Sequence, residues 1–150
     1  MGLITWLPLN GDLNNRGIVS TQFTNSGVVL TTPGKLGQCY YLNDKTLYNS
    51  NFTALQNTTD FSACCWVKFT SFPTSNAYCI SLNTSSSSDY KFILGIYSSD
   101  AVTAQFRLNG GNGVGTLNLN KWYHLAVCVS NTVGYMYING ALVKTVKNLS

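Results

Sequence analysis

The chain has 150 residues, a length typical of one domain and sufficient to bury a hydrophobic core. Charged residues make up only 9% of it, and the net charge of +4 comes from singly spaced lysines and arginines. Without a basic cluster, the composition argues against nucleic-acid binding and against attachment to an anionic membrane. No run of 18 apolar residues is present, so membrane insertion is not expected.

Apolar and polar side chains alternate through most of the chain, and this period of two predicts β-strands. Asn, Ser, Thr and Gly supply most of the polar residues, a composition that suits turns and sheet surfaces better than helices. Strands are predicted at Ile4–Leu9, Gly27–Leu30, Gln38–Leu42, Asp60–Phe69, Ala77–Leu82, Tyr90–Tyr97, Ala101–Leu108 and Lys121–Ser130.

Turn signals separate these strands at short intervals. Asn139-Gly140, between "VGYMYI" and "ALVKTV", predicts a two-residue hairpin, since both central positions of such a turn need positive φ. Loops are predicted at Asn83–Asp89 and Asn109–Gly113, and one weak helical turn around Asn51–Gln56. Many short strands with regular turns predict an all-β, two-sheet antiparallel sandwich or jelly roll.

His124 is the only histidine of the chain and lies in "KWYHLAVCVS", where Trp122, Ala126 and Cys128 share its face of the predicted strand. No second histidine, no C-x-x-C motif and no G-x-S-x-G motif accompanies it, and the nearest acid in sequence is Asp100. A packing and hydrogen-bonding role is therefore favoured over catalysis or metal binding.

The five cysteines form an odd set that includes the adjacent pair Cys64-Cys65. The first residues lack the basic segment and the length of a signal peptide. Reduced thiols are therefore expected, with a single bridge from Cys39 to Cys79 as the alternative.

Every acidic residue is an aspartate, and no glutamate is present. Asp12 and Asp44 lie among Asn and Gly in predicted turns, where oxygen ligands for Ca²⁺ would be available. One acid per loop gives weak affinity, so an Asx-turn role is favoured. No cofactor is expected, and Ca²⁺ at Asp12 or Asp44 is the open alternative.

Aromatic side chains are the remaining resource for binding. Sugar rings stack on aromatic faces, while amides and guanidinium groups hydrogen-bond their hydroxyls. Arg107 lies next to a glycine-rich loop that offers such polar groups. The alternative is that most of the tyrosines are half-buried strand residues. The residues predicted to bind carbohydrate are Tyr48, Tyr90, Arg107, Asn109 and Asn112.

Four segments resemble the laminin-G-like modules of the concanavalin A-like lectin/glucanase superfamily. In chain order they are "WLPLNGDLNNRG", "GKLGQCYYL", "DFSACCWVKF" and "WYHLAVCVSNTVGYMYINGALV", which together span Trp6 to Val143. They are similar to the versions of the module found in phage virion proteins and in surface proteins of Gram-positive bacteria. The resemblance implies a two-sheet jelly roll that recognises glycans or proteins.

The resemblance also bears on catalysis. It implies framework roles for Trp66, Trp122, His124, Tyr137, Asn139 and Gly140. Hydrolases of the superfamily typically use glutamates as acid and nucleophile, and this chain has none. A non-enzymatic module is therefore expected.

One departure from the family pattern concerns the final strand. The family usually continues beyond the hairpin with an "R-I-Y-D/N" motif, whereas this sequence ends at "KNLS". Residues 1–150 are therefore expected to form one laminin-G-like domain that lacks or borrows its final strand, or the N-terminal part of a longer chain. An unfilled position would leave an exposed sheet edge.

The leading hypothesis is a glycan-binding module of a phage virion protein that helps attachment to the host surface. Its partners would be surface glycans of a bacterial host, and many weak contacts would add to avidity. The alternative is a structural or decoration domain that binds other virion proteins or copies of itself. The expected location is the virion, with the bacterial cell surface as the alternative.

Overall fold

A computed structural model describes residues 2–19, 22–55, 58–73, 76–83, 90–98, 104–108 and 113–147, with the backbone alone at 76, 83 and 90–93. The described residues form twelve strands and no helix, so the all-β prediction is confirmed. No described segment is therefore a helix that could cross a membrane. The chain divides into two compact units, Met1–Leu55 and Gln56–Ser150.

The first unit contains two small antiparallel pairs. Strand β1 pairs with β4, and β2 pairs with β3. Hydrogen bonds outside the strands add to its structure, such as Arg16 N–H to Trp6 O at 2.8 Å. Its strands are β1 (Thr24–Asn25), β2 (Val29–Thr31), β3 (Cys39–Tyr41) and β4 (Leu47–Tyr48).

The second unit contains two four-stranded antiparallel sheets, with the orders β12-β11-β10-β5 and β6-β7-β8-β9. Its strands are β5 (Phe61–Lys68), β6 (Asn76–Asn83), β7 (Tyr90–Tyr97), β8 (Ala104–Leu108), β9 (Val114–Leu117), β10 (Trp122–Ser130), β11 (Val133–Ile138) and β12 (Ala141–Val146). We call the first of these sheets the β10 sheet and the second the β7 sheet.

The core of the second unit follows from strict alternation along the strands. On β10 every second residue from Tyr123 is buried, and on β8 the buried residues are Ala104, Phe106 and Leu108. The remaining positions of these strands point to the opposite faces of their sheets. The buried apolar residues of this unit are Phe72, Leu94, Ile96, Ala104, Phe106, Leu108, Leu117, Tyr123, Leu125, Val127, Val129 and Met136.

The hairpin between β11 and β12 has the predicted two-residue turn. Asn139 and Gly140 have φ values of 52° and 83°, and Ile138 pairs with Ala141 across the turn. Both residues occupy the left-handed region that this turn requires. The hairpin prediction is confirmed.

Several local predictions differ from the structure. Residues 4–9 form no strand, because only scattered hydrogen bonds to residues 16–19 replace a regular ladder. The predicted helical turn is wrong for Asn51–Leu55, which has turns but no helix. Strands β1, β4 and β9 were not predicted, since segments of two to four residues carry little periodicity. The predicted loops at 84–89 and 109–112 lie outside the described residues.

Candidate functional site

The outward face of β7 and β8 carries an arginine stacked on a tyrosine. Ile96 pairs with Phe106 and both are buried, so the flanking residues Tyr97 and Arg107 point away from the core. Gly95 pairs directly with Arg107, which makes Tyr97 the diagonal neighbour of this arginine. The guanidinium carbon of Arg107 lies 4.0 Å from the centre of the Tyr97 ring. This distance is well within the range of a cation–π contact.

A second aromatic ring extends the same face. Tyr78 on β6 pairs with Gly95 and is 52% exposed. A methyl group built at Gly95 would come within 3.3 Å of the Tyr78 ring, so the ring lies against this glycine. The missing side chain at Gly95 thus lets Tyr78 lie low over the sheet. Gln105, which pairs with Tyr97, is exposed at the other side.

We call Tyr78, Gly95, Tyr97, Gln105 and Arg107 the arginine platform. It combines an exposed aromatic ring, a planar guanidinium with several donors, and a primary amide. An apolar surface with a few fixed polar groups can stack a ring and hydrogen-bond its substituents. The groups of the platform can thus bind a polar ring. None of its five residues is a histidine, a cysteine or a carboxylate that would act as a nucleophile or base.

Of the five residues predicted to bind carbohydrate, Arg107 is the one whose described side chain lies in the arginine platform. Tyr90 begins β7, but its side chain lies outside the described residues, as do Asn109 and Asn112. Tyr48 is 48% exposed on β4 and belongs to the other unit. The roles of these four residues stay predictions. Sequence reasoning did not select Tyr78, Tyr97 and Gln105, because the β6–β7–β8 pairing register is needed to place them beside Arg107.

His124 lies on the outward face of the β10 sheet. Its ring centre is 5.2 Å from that of Trp66, which pairs with it across β5 and β10. Its backbone N–H donates to Asn139 Oδ1 at 2.9 Å. These contacts agree with the packing and hydrogen-bonding role favoured by the sequence.

The two calcium candidates have different surroundings. Asp12 accepts hydrogen bonds from Asn14 N–H and from Arg16 Nη2, each at 2.8 Å. The first is an Asx-turn, and this hydrogen bond, followed by the Arg16 charge, lowers the pKa of Asp12 from its ordinary value. Asp44 lies in a turn with φ of 62°. Within the described part of the chain, no three His, Cys, Asp or Glu residues cluster as metal ligands would.

The thiols are all free in the structure, including Cys39 and Cys79. The Cys79 thiol instead forms a side-chain hydrogen bond with the Cys65 thiol. This hydrogen bond, together with burial, raises the pKa of the Cys65 thiol well above its ordinary value. Burial also raises the pKa of Cys64. Both groups are therefore protonated at neutral pH and unsuited to act as nucleophiles.

Comparison with known proteins gives one family. The family model Laminin_G_3, described as the concanavalin A-like lectin/glucanases superfamily, matches residues 43–150. The two N-terminal segments that resemble the family, "WLPLNGDLNNRG" and "GKLGQCYYL", precede this match. No curated protein and no solved structure gave a significant match. The matched range contains all of the second unit and most of the chain, and the chain therefore belongs to the concanavalin A-like lectin/glucanases superfamily.

Proposed function

We propose that this protein is a non-catalytic glycan-binding module and that the arginine platform contacts the sugar. Its family includes lectins, which makes carbohydrate the first ligand class to consider. The observation that carries the proposal is the Arg107–Tyr97 stack at 4.0 Å, beside the exposed ring of Tyr78. A sugar ring would stack on Tyr78, and Arg107 and Gln105 would hydrogen-bond its hydroxyl groups.

The stack prepares the guanidinium for this role. A free arginine side chain loses much conformational freedom when it binds a ligand. Contact with the Tyr97 ring already restricts Arg107, so less entropy is lost on binding. The guanidinium is planar and carries several N–H donors, and hydroxyl oxygens can accept from those donors that the ring does not cover.

The non-enzymatic part of the proposal is supported by the acidic residues. Hydrolysis of glycosides commonly requires two carboxyl groups about 5–10 Å apart. Hydrolases that resemble this module typically use glutamates as acid and nucleophile, and the chain has no glutamate.

The biological setting proposed is a phage virion, where the module would help hold the particle to the host surface. Its support is the similarity of the four quoted segments to modules of virion proteins. Many copies on one particle would turn weak individual contacts into firm attachment.

The test is a glycan array that includes bacterial cell-wall polysaccharides, probed with the multivalent protein in the presence and absence of Ca²⁺. Selective binding to a few related glycans, weakened by Arg107→Ala, is the expected result. Arg16→Ala is the matched control, since Arg16 is an exposed arginine of the other unit. If the folded protein bound none of the glycans on the array, the proposal would be rejected. A calcium requirement would instead assign a ligand role to a loop aspartate.

A second candidate function is a structural module that binds proteins. Among the described residues, nine of the twelve exposed large apolar side chains belong to Met1–Leu55, and Leu36 and Ile18 reach 79% and 73% exposure. Exposed apolar side chains at this density favour association with another protein surface. A stable oligomer that dissociates only on unfolding, measured by light scattering, would support this function.

A further inference from the structure

The outward face of the β10 sheet carries a second aromatic surface at one end, where β5 finishes and β10 begins. Trp66 pairs with His124, and Lys68 pairs with Trp122. The ring centres of Trp66 and His124 are 5.2 Å apart, and Lys68 Nζ lies 5.4 Å from the centre of the Trp122 ring. We call these four residues the tryptophan platform.

The exposed fraction of the Trp66 side chain shows that this surface is not part of the hydrophobic core. Trp66 is 47% exposed, although a large indole is normally mostly buried. The outward positions next to it belong to His124, Cys64 and Lys68, so the exposed face has an aromatic neighbour and a cationic neighbour. Lys68 follows Trp66 by two strand positions and therefore stands on the same face about 7 Å along the strand.

The charges at this end of the sheet have one sign. Lys68 lies on the platform, and the exposed Lys121 immediately precedes Trp122. The only described acid of the second unit, Asp60, lies beyond the other end of β5, roughly 25 Å away at the usual rise of a strand. No described carboxylate neutralises Lys68. The surface is thus electrostatically complementary to an anionic ligand.

Lys68 is also positioned by its aromatic partner. Its ammonium group lies within cation–π distance of Trp122, which holds the long side chain over the outward face of the sheet, two strand positions from Trp66. A ligand that stacks on Trp66 would meet the ammonium group at its edge. A carboxylate attached directly to a sugar ring lies at that edge, a few ångströms from the ring centre.

We propose that the tryptophan platform binds uronic acid units of acidic polysaccharides, with the sugar ring stacked on Trp66 and its carboxylate paired with Lys68. The inference rests on the proposed glycan-binding function and adds a separate site with its own ligand class. The two sites lie on different sheets of the same unit. A neutral sugar would gain only the stacking contact, so the platform selects for the acidic unit.

The experiment compares two polymers with one backbone. Polygalacturonate carries a carboxylate on each ring, and its fully methyl-esterified form does not. Binding of the full chain to each polymer is measured by isothermal titration calorimetry. We expect binding to polygalacturonate that weakens with added NaCl, and at least tenfold weaker binding to the ester.

Three variants locate the site. Lys68→Gln and Trp66→Ala should each lower the affinity for polygalacturonate by about five- to tenfold, which corresponds to the loss of one charge contact or one stacking contact. Lys147→Gln is the matched control, because it removes the same charge at the far end of the sheet, after β12. It should bind as the unaltered protein does. Circular dichroism shows whether the Trp66 variant is folded, and Lys68→Gln decides the question if it is not.

The outcomes separate this inference from the proposed function. Equal binding of polygalacturonate and its ester, or equal losses in Lys68→Gln and Lys147→Gln, would overturn the inference. If Arg107→Ala weakened the binding of polygalacturonate and Lys68→Gln did not, the tryptophan platform would be rejected. Binding of polygalacturonate that depends on Lys68 and not on Arg107 would support this inference, while the glycan array with Arg107→Ala tests the arginine platform separately.

Discussion

His124 and Asn139 exchange two hydrogen bonds across the β10–β11 hairpin. The His124 N–H donates to Asn139 Oδ1 at 2.9 Å, and the Asn139 N–H donates to His124 O at 2.8 Å. The side chain of the turn residue thus extends the ladder by one bond beyond Leu125–Ile138. The histidine of the sequence motif is therefore fixed through its backbone, and its ring is left to pack against Trp66.

Replacing Asn139 by alanine should lower the free energy of unfolding by about 1–2 kcal/mol. The change removes the acceptor for the His124 N–H and places a less tolerant residue at φ of 52°. Asn139→Asp is the control, because it keeps an oxygen acceptor and accepts positive φ. Urea unfolding of both variants measures the difference, and equal losses would show that the hydrogen bond contributes nothing.

Replacing Leu125 by alanine should cost about 2–5 kcal/mol of unfolding free energy, since Leu125 is fully buried at the centre of β10 and its loss leaves a cavity. Leu142→Ala is the matched control on the same sheet, because Leu142 is 54% exposed. Its effect should stay within about 0.5 kcal/mol. Similar losses at the two positions would contradict the assignment of the inward face.

The Arg107–Tyr97 stack should contribute about 0.5–1 kcal/mol to stability. A double-mutant cycle with Arg107→Ala and Tyr97→Leu measures this coupling without the loss of area that each single change brings. A coupling energy near zero in chemical denaturation would mean that the guanidinium is not held by the ring. In that case the entropic argument for the arginine platform would fail.

Asp60 should make the stability of the folded protein depend on pH in the acidic range. Hydrogen bonds from Ser130, then from Asn131 N–H and Thr59, lower the pKa of Asp60 in the folded protein. A carboxyl with a lowered folded pKa stabilises the fold above its unfolded pKa of about 4, and this contribution is lost as the pH falls through the folded value.

As the pH falls from about 5 to about 2, the Asp60→Asn variant should therefore lose less unfolding free energy than the unaltered protein does. The amide still accepts from Asn131 N–H, which keeps the contact at 3.0 Å in place. Asp44→Asn is the control, since asparagine also accepts the positive φ of that turn. Thermal melts across the pH range give the comparison, and identical pH profiles for Asp60→Asn and the unaltered protein would refute the prediction.

The sequence alone determined the features that depend on neighbours in the chain. Alternation predicted the long strands β5, β6, β7, β8 and β10 to within a few residues, because the period of side chains along a strand is fixed by backbone geometry. Asn139-Gly140 predicted its turn, because few residue pairs accept positive φ at two successive positions. The ordered motifs identified the superfamily for the same local reason.

Only the tertiary structure decided which residues meet across strands. Both faces of β5 carry apolar side chains, and its pairing with β10 sets Cys65 beside buried Leu125 and Trp66 beside His124 on the outside. Register likewise places Arg107 over Tyr97, ten residues away in sequence. A shift of one residue would turn every side chain of a strand to the other face. Pairing energy summed over the whole sheet selects the register, and no local pattern encodes that sum.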